Sequence, residues 1–225
     1  MLKILFFALF FATVFIFSCA DYPRIGEIEN TFKPEAELKD SRDGQSYPTV
    51  RIGSQIWMAK NLDYDTIGSK CYNDKPKNCD DYGRLYNWAT AMNFDFGYAQ
   101  TYRGICPSGW HLPSDAEWRA LVEYVGINVG VKLRAKNGWI DKADNGDDDY
   151  GFSAKPSGFH NGKSGDDAKF GDMEYDKQIG YWWSSTEFKD DTKQAYYRDD
   201  NISYDPLHPL HAEKIYMFAV RCIKD

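Results

Sequence analysis

The cysteines constrain this chain more than any other feature. There are five: Cys19, Cys71, Cys79, Cys106 and Cys222. An odd count leaves one thiol outside any set of internal bridges, and the place of that thiol decides how the others are read. Cys19 comes just after Ser18, which closes an apolar run from Ile4 to Phe17 that is preceded by one cation, Lys3. The run is shorter than the roughly 20 residues a membrane-spanning helix needs. It has the proportions of a signal-peptide core. Setting Cys19 aside leaves Cys71, Cys79, Cys106 and Cys222, an even set suited to an exported domain in an oxidising compartment. Such a set allows three connectivities. Cys71 and Cys79 are close in sequence within a polar segment. A local bridge there is the simplest pairing and leaves Cys106 for Cys222. Zinc sites favour tighter pairs such as C-x2-C, which neither spacing matches.

The segment Ile16-Phe17-Ser18-Cys19 resembles the lipobox of bacterial lipoproteins: an aliphatic residue, then a small residue just before the cysteine. Phe17 is bulkier than that pattern usually shows. The resemblance implies cleavage after Ser18 and acylation of Cys19 by chains of the palmitate class, each buried methylene contributing about 0.8 kcal/mol of anchoring. An ordinary secretory signal would instead leave Cys19 as a free thiol on an exposed tail, which is awkward in an oxidising compartment. The expected organisation is a lipoprotein signal peptide at 1–18, a lipid-anchored tether at 19–39 and one domain at 40–225. The expected location is the bacterial cell envelope, at the outer membrane or cell surface.

Charge narrows the partners. With 34 acidic against 27 basic residues the chain carries a formal charge of -7, the wrong sign for a nucleic-acid footprint. Local patterns suggest an α+β domain. Two β-rich runs flank Gly53-Ser54 and predict a hairpin. Leu85, Trp88, Ala89 and Met92 share one helical face and predict a helix near Gly83 to Asn93. Ser114 and Glu117 form a capping box ahead of Trp118, Leu121, Val122 and Val125, with Gly126 as the stop. Strands are expected over Gly180–Thr186, Gln194–Arg198 and Lys214–Ile223. Extended loops and short strands are expected between Asn128 and Ile179.

Six runs occur in a distinctive order: Asp40 to Gln45, Val50 to Leu62, Tyr82 to Trp88, Cys106 to Trp118, Tyr181 to Thr186 and Val220 to Cys222. In this order they resemble the Fibrobacter succinogenes major paralogous domain, a family of exported bacterial proteins, from about Asp40 to Asp225. More distantly, the Leu112 to Trp118 block and the closing Val-Arg-Cys are similar to the C-type lectin-like and formylglycine-generating-enzyme fold. That likeness implies two helices packed on short antiparallel strands with long loops, N- and C-terminal strands side by side, and a Cys106–Cys222 bridge.

The candidate sites are few. Asp144, Asp147, Asp148 and Asp149 lie in a carboxylate-dense loop and are the metal candidates, with calcium the ion weighed. The EF-hand spacing fails there at Ala143 and Phe152, and a solvated acidic loop is the simpler reading. No other cofactor is expected. His208 and His211 lack the H-E-x-x-H helix of a metalloprotease. Ser184, Ser185 and Thr186 lack the G-x-S-x-G elbow. Adjacent strand residues Trp182 and Trp183 point to opposite faces, so an exposed indole is expected there unless both faces are covered. Together with Trp139 they are candidates for stacking on sugar rings. The expected function is a lipid-anchored surface module for binding or adhesion, with carbohydrate or a surface protein as partner and no catalysis. The alternatives are an enzyme of the formylglycine-generating type, which needs free late cysteines, and a purely structural envelope lipoprotein.

Overall fold

The computed structural model describes residues 34–94, 103–139, 141–171, 173–174, 177–201 and 207–225. The signal-peptide and Cys19 expectations lie outside these residues. Among them, no helix is long and apolar enough to cross a membrane.

The first half is built from short elements. Strands β1 (Leu38–Lys39) and β2 (Ser46–Tyr47) pair with each other, and β3 (Thr49–Ile52) and β4 (Gln55–Met58) form the expected hairpin. Its turn pairs Ile52 with Gln55 around Gly53, whose φ of +59° an L side chain rarely adopts. Helix α1 (Pro76–Tyr82) follows, then β5 (Leu85–Asn87), α2 (Trp88–Ala91) and β6 (Trp110–His111). Helix α3 (Asp115–Val125) carries the capping box at Ser114 and Glu117 and ends at Gly126 with a φ of +70°. After it come α4 (Val129–Leu133) and the strands β7 (Phe159–His160), β8 (Phe170–Gly171) and β9 (Met173–Glu174). The longest strand is β10 (Lys177–Glu187), followed by β11 (Gln194–Asn201), β12 (Pro209–Glu213), β13 (Met217–Ala219) and β14 (Ile223–Lys224).

The expected architecture of two helices packed on short antiparallel strands is therefore corrected. Strand residues outnumber helical ones, three sheets form, and α3 is the one helix longer than seven residues among those described. The helix expected near Gly83 to Asn93 shrinks to the four residues of α2, because Leu85–Asn87 pair with Met217–Ala219 instead. Tertiary pairing here overrides a local apolar period.

The main sheet runs β12-β11-β10-β13-β7-β8, with β5 on β13 and β9 on β10. A second sheet runs β3-β4-β14-β6, so the closing strand sits between early ones. Strand β10 is covered on both faces. Tyr181 and Trp183 join Trp88, Leu112, Phe218 and Val220 in one apolar cluster. Trp182 joins Trp57, Trp118, Phe152 and Ala219 in another. Ring contacts are close: Trp57 to Trp118 at 4.7 Å and Trp183 to Phe218 at 4.4 Å between centroids. Such pairs contribute about 0.5–1.5 kcal/mol each beyond area burial. The bridges Cys71–Cys79 and Cys106–Cys222 both form, with Cα separations of 5.0 and 5.9 Å. Those separations suit a disulfide.

Candidate functional site

The aromatic residues proposed for sugar stacking are inside the protein. Trp182 and Trp183 are fully buried and Trp139 is 5% exposed. Their indole N–H groups donate inward: Trp182 to Asn61 Oδ1 at 2.8 Å, Trp183 to the Tyr86 carbonyl at 2.8 Å and Trp139 to the Ala154 carbonyl at 3.3 Å. No face of these rings is open to a ligand. The expectation of an exposed indole at the Trp182-Trp183 pair fails because β10 is an interior strand.

The acidic loop is used locally. Asp148 accepts from the Ser153 N–H at 2.8 Å and from its hydroxyl at 2.6 Å. Asp144, Asp147 and Asp149 join no group of three acidic, histidine or cysteine side chains placed to hold a metal, among the described residues. His211 stacks on Phe188 at 3.9 Å and contacts Gln194 Oε1. The hydroxyls after the aromatic strand cap structure: Thr186 Oγ1 accepts from Asp115 N at the start of α3, and Ser184 Oγ from Thr186 N.

What the fold does assemble is an open cleft of about 430 Å³. Its wall residues come from segments far apart in sequence. Lys60 and Asn61 follow β4, Tyr82 ends α1, Lys136 follows α4, Asp148 to Lys155 form the next loop, and Arg221 precedes β14. Three backbone contacts hold these segments together. Leu62 N donates to the Val220 carbonyl at 2.8 Å, Arg84 N to the Leu62 carbonyl at 3.0 Å, and Ala135 N to the Ala154 carbonyl at 2.9 Å. Gly83, at φ +78°, lets the end of α1 approach Asn61. A Cβ at that position would lie 2.6 Å from the Asn61 Cβ.

Asn61 and Arg221 form the floor. Asn61 Oδ1 accepts from Trp182 Nε1 and from Arg221 Nε and Nη2, the last two at 3.0 and 2.7 Å, while its amide donates to the Tyr82 carbonyl at 2.9 Å. Arg221 also donates to the Phe152 carbonyl and lies 4.3 Å over the Phe152 ring. The guanidinium is 1% exposed and enters no ion pair among the described residues. Burial pushes it down to about 9, partly offset by Asp148, so it remains charged at neutral pH. Lys60, Lys136 and Lys155 also line the cleft and enter no ion pair among the described residues. Tyr82 is the aromatic side chain on its wall, half-buried, with burial raising its hydroxyl.

Sequence reasoning missed this cleft entirely. The one hint was the Val-Arg-Cys run, where a charged residue stands between two apolar ones in a strand-like segment. A family model described as the Fibrobacter succinogenes major domain matches residues 50–224. No curated protein matches the chain, and no solved structure does, so the lectin-like part of the expected resemblance has no match behind it.

Proposed function

This chain belongs to the Fibrobacter succinogenes major domain family, and from that premise we propose that it is an exported, lipid-anchored binding module whose cleft takes a carbohydrate. The cleft carries the reading. It offers one aromatic wall residue, Tyr82, surrounded by amide, hydroxyl and ammonium groups such as Asn137, Ser153 and Lys155. Sugars are bound by that combination: a ring face for their C–H surface and converging polar groups for their hydroxyls. The groups stand on a frame fixed by two disulfides and an interior of stacked aromatics. A rigid frame lowers the ordering cost of binding. The lipobox and the even remaining cysteines support export and anchoring. Among the alternatives, the formylglycine-generating type needs a free late thiol, and the Cys106–Cys222 bridge counts against it.

Titration of the full chain in detergent against a panel of soluble oligosaccharides tests the proposal. Saturable binding is expected, and Tyr82→Ala should weaken it by about tenfold, the loss of one stacking contact of ~1–1.5 kcal/mol. Absence of binding to every oligosaccharide on the panel would overturn the carbohydrate reading. Thiol titration of the folded, unreduced protein separates the enzymatic alternative, since free thiols at Cys106 and Cys222 would revive it. Metabolic labelling with a fatty acid checks the anchor, and a Cys19→Ser chain should take up no label.

A further inference from the structure

We propose that the cleft selects an anionic glycan, one bearing carboxylate or sulfate groups; the inference rests on the carbohydrate reading of the same cleft. The observation is a local reversal of charge. The chain is acidic overall, at -7, yet the cleft gathers Lys60, Lys136, Lys155 and Arg221 against Asp80, Asp81 and Asp148. Two of those carboxylates are already engaged. Asp81 holds Lys77 at 2.9 Å; Asp148 is hydrogen-bonded through both oxygens by the neutral Ser153, keeps its charge and offsets part of that of Arg221. Asp80 is left as the one acid of the wall without such a contact among the described residues.

The cations are differently placed. The three lysines pair with no carboxylate among the described residues, so no ion pair has to break when a ligand arrives. Arg221 lies beneath them, held by neutral acceptors only: an amide oxygen and backbone carbonyls. Neutral acceptors orient a guanidinium but leave its charge in place. Asp148 offsets part of this charge from beyond ion-pair distance; the remainder is screened poorly by solvent and projects its field into the nearest opening, which here is the cleft. A neutral sugar would leave that field unanswered. A carboxylate or sulfate among the lysine ammonium groups would answer it and form charge-assisted hydrogen bonds, the stronger kind. The flexible, strongly hydrated ammonium suits a spread-out anionic polymer more than one fixed bidentate group.

Calorimetric titration of the full chain in detergent tests the proposal with three probes: trigalacturonate, a sulfated oligosaccharide and neutral cellotriose. The acidic oligomers are expected to bind more tightly than cellotriose, with an affinity that falls as salt rises because exposed charges are screened. Whichever acidic probe binds better identifies the anion. Lys136→Met and Lys155→Met should each weaken acidic-oligomer binding about fivefold, a larger loss than either causes for cellotriose, and should flatten the salt dependence. Asp80→Asn should tighten it by removing a competing charge, an effect that mere damage to the fold would not produce. Salt dependence on the unaltered chain keeps the test decisive if a variant fails to fold. Equal, salt-insensitive affinity for cellotriose would overturn the anion inference and leave the carbohydrate reading standing. Absence of binding to all three probes would overturn both.

Discussion

Two kinds of buried arginine stand in this protein, and they behave oppositely. Arg134 and Arg198 face carboxylates. Arg134 donates through two nitrogens to Asp200, one contact at 3.1 Å, and Arg198 meets Asp115 at 2.5 Å. In both cases a carboxylate answers the guanidinium within the fold, Asp115 being shared with Arg119 at 2.6 Å, and the interaction serves to fix α3, α4 and β11 against one another. Arg221 is as deeply buried but is held by Asn61 and by carbonyls of the 152–153 loop. Arg198 Nε is buried without an acceptor, whereas Arg221 Nε, Nη1 and Nη2 all have one, so the two kinds differ in opposite senses in hydrogen bonding and in charge compensation. An arginine in contact with a carboxylate is muted toward its surroundings, whereas the charge of Arg221 at the cleft floor, offset only in part and at longer range by Asp148, acts on a ligand in the cleft.

The largest expected effect breaks the compensated side. Arg134→Met strands Asp200, which is fully buried and whose carboxyl burial already pushes up. Loss of such a partner costs about 3–5 kcal/mol. Denaturant unfolding at neutral pH measures this, and the loss should shrink in acid, where a protonated Asp200 needs no counter-charge. A cost as large at low pH would mean that packing, not charge, holds the pair.

Next in size is Arg221→Met. It removes a buried charge whose hydrogen-bond acceptors are all neutral, with Asp148 losing only a longer-range attraction, so the expected cost is about 1–3 kcal/mol. A double-variant comparison in one urea series ranks it against Arg134→Met. Should Arg221→Met prove the more damaging, the contrast between the two arginines would collapse.

A titrating version of the compensated pair sits at His111, whose ring nitrogens contact Glu117 at 2.8 Å and Asp225 at 2.7 Å. Burial opposes its charge, but these two hydrogen bonds outweigh burial and raise the imidazole above 6.5. The contribution to stability is therefore complete below pH 6.5 and is lost as pH rises through the raised value. Burial also works against the Glu117 carboxylate, yet its bonds to His111 and Ser114 hold it below 4.5. Its contribution is present above pH 4.5 and fades as acid protonates it. Urea midpoints across a pH series should fall on the alkaline side, and His111→Asn should flatten that slope.

The smallest effect belongs to the cleft rim. Lys136→Met and Lys155→Met should change stability by less than about 0.5 kcal/mol, since neither lysine enters an ion pair among the described residues. Thermal midpoints would show it. A larger fall would mean these cations have structural work and would blunt the case for a ligand.

Some of this fold was legible residue by residue. Ser114 and Glu117 announce the start of α3 because a capping box is satisfied within four residues. Gly53-Ser54 announces a hairpin for the same local reason. The pairing of Cys71 with Cys79 follows from nearness along the chain. The tryptophans were not legible in this way. Alternation along β10 correctly sends Trp182 and Trp183 to opposite faces, yet whether each face meets solvent or protein depends on strands and helices contributed from elsewhere. The apolar period at Leu85, Trp88, Ala89 and Met92 misled for a related reason, since Met217–Ala219 supply a β partner that the local sequence does not reveal.

The sequence by itself determined the cysteine division, the family and the local caps and turns, because each is a matter of residue type at short spacing. Only the tertiary structure decided that the aromatic surplus becomes core and that a polar cleft opens elsewhere. The cleft joins Asn61, Tyr82, Lys155 and Arg221, residues up to 160 positions apart, Arg221 and Asn61 meeting through a hydrogen bond. Burial and charge compensation are properties of surroundings, and surroundings exist only once the chain has closed.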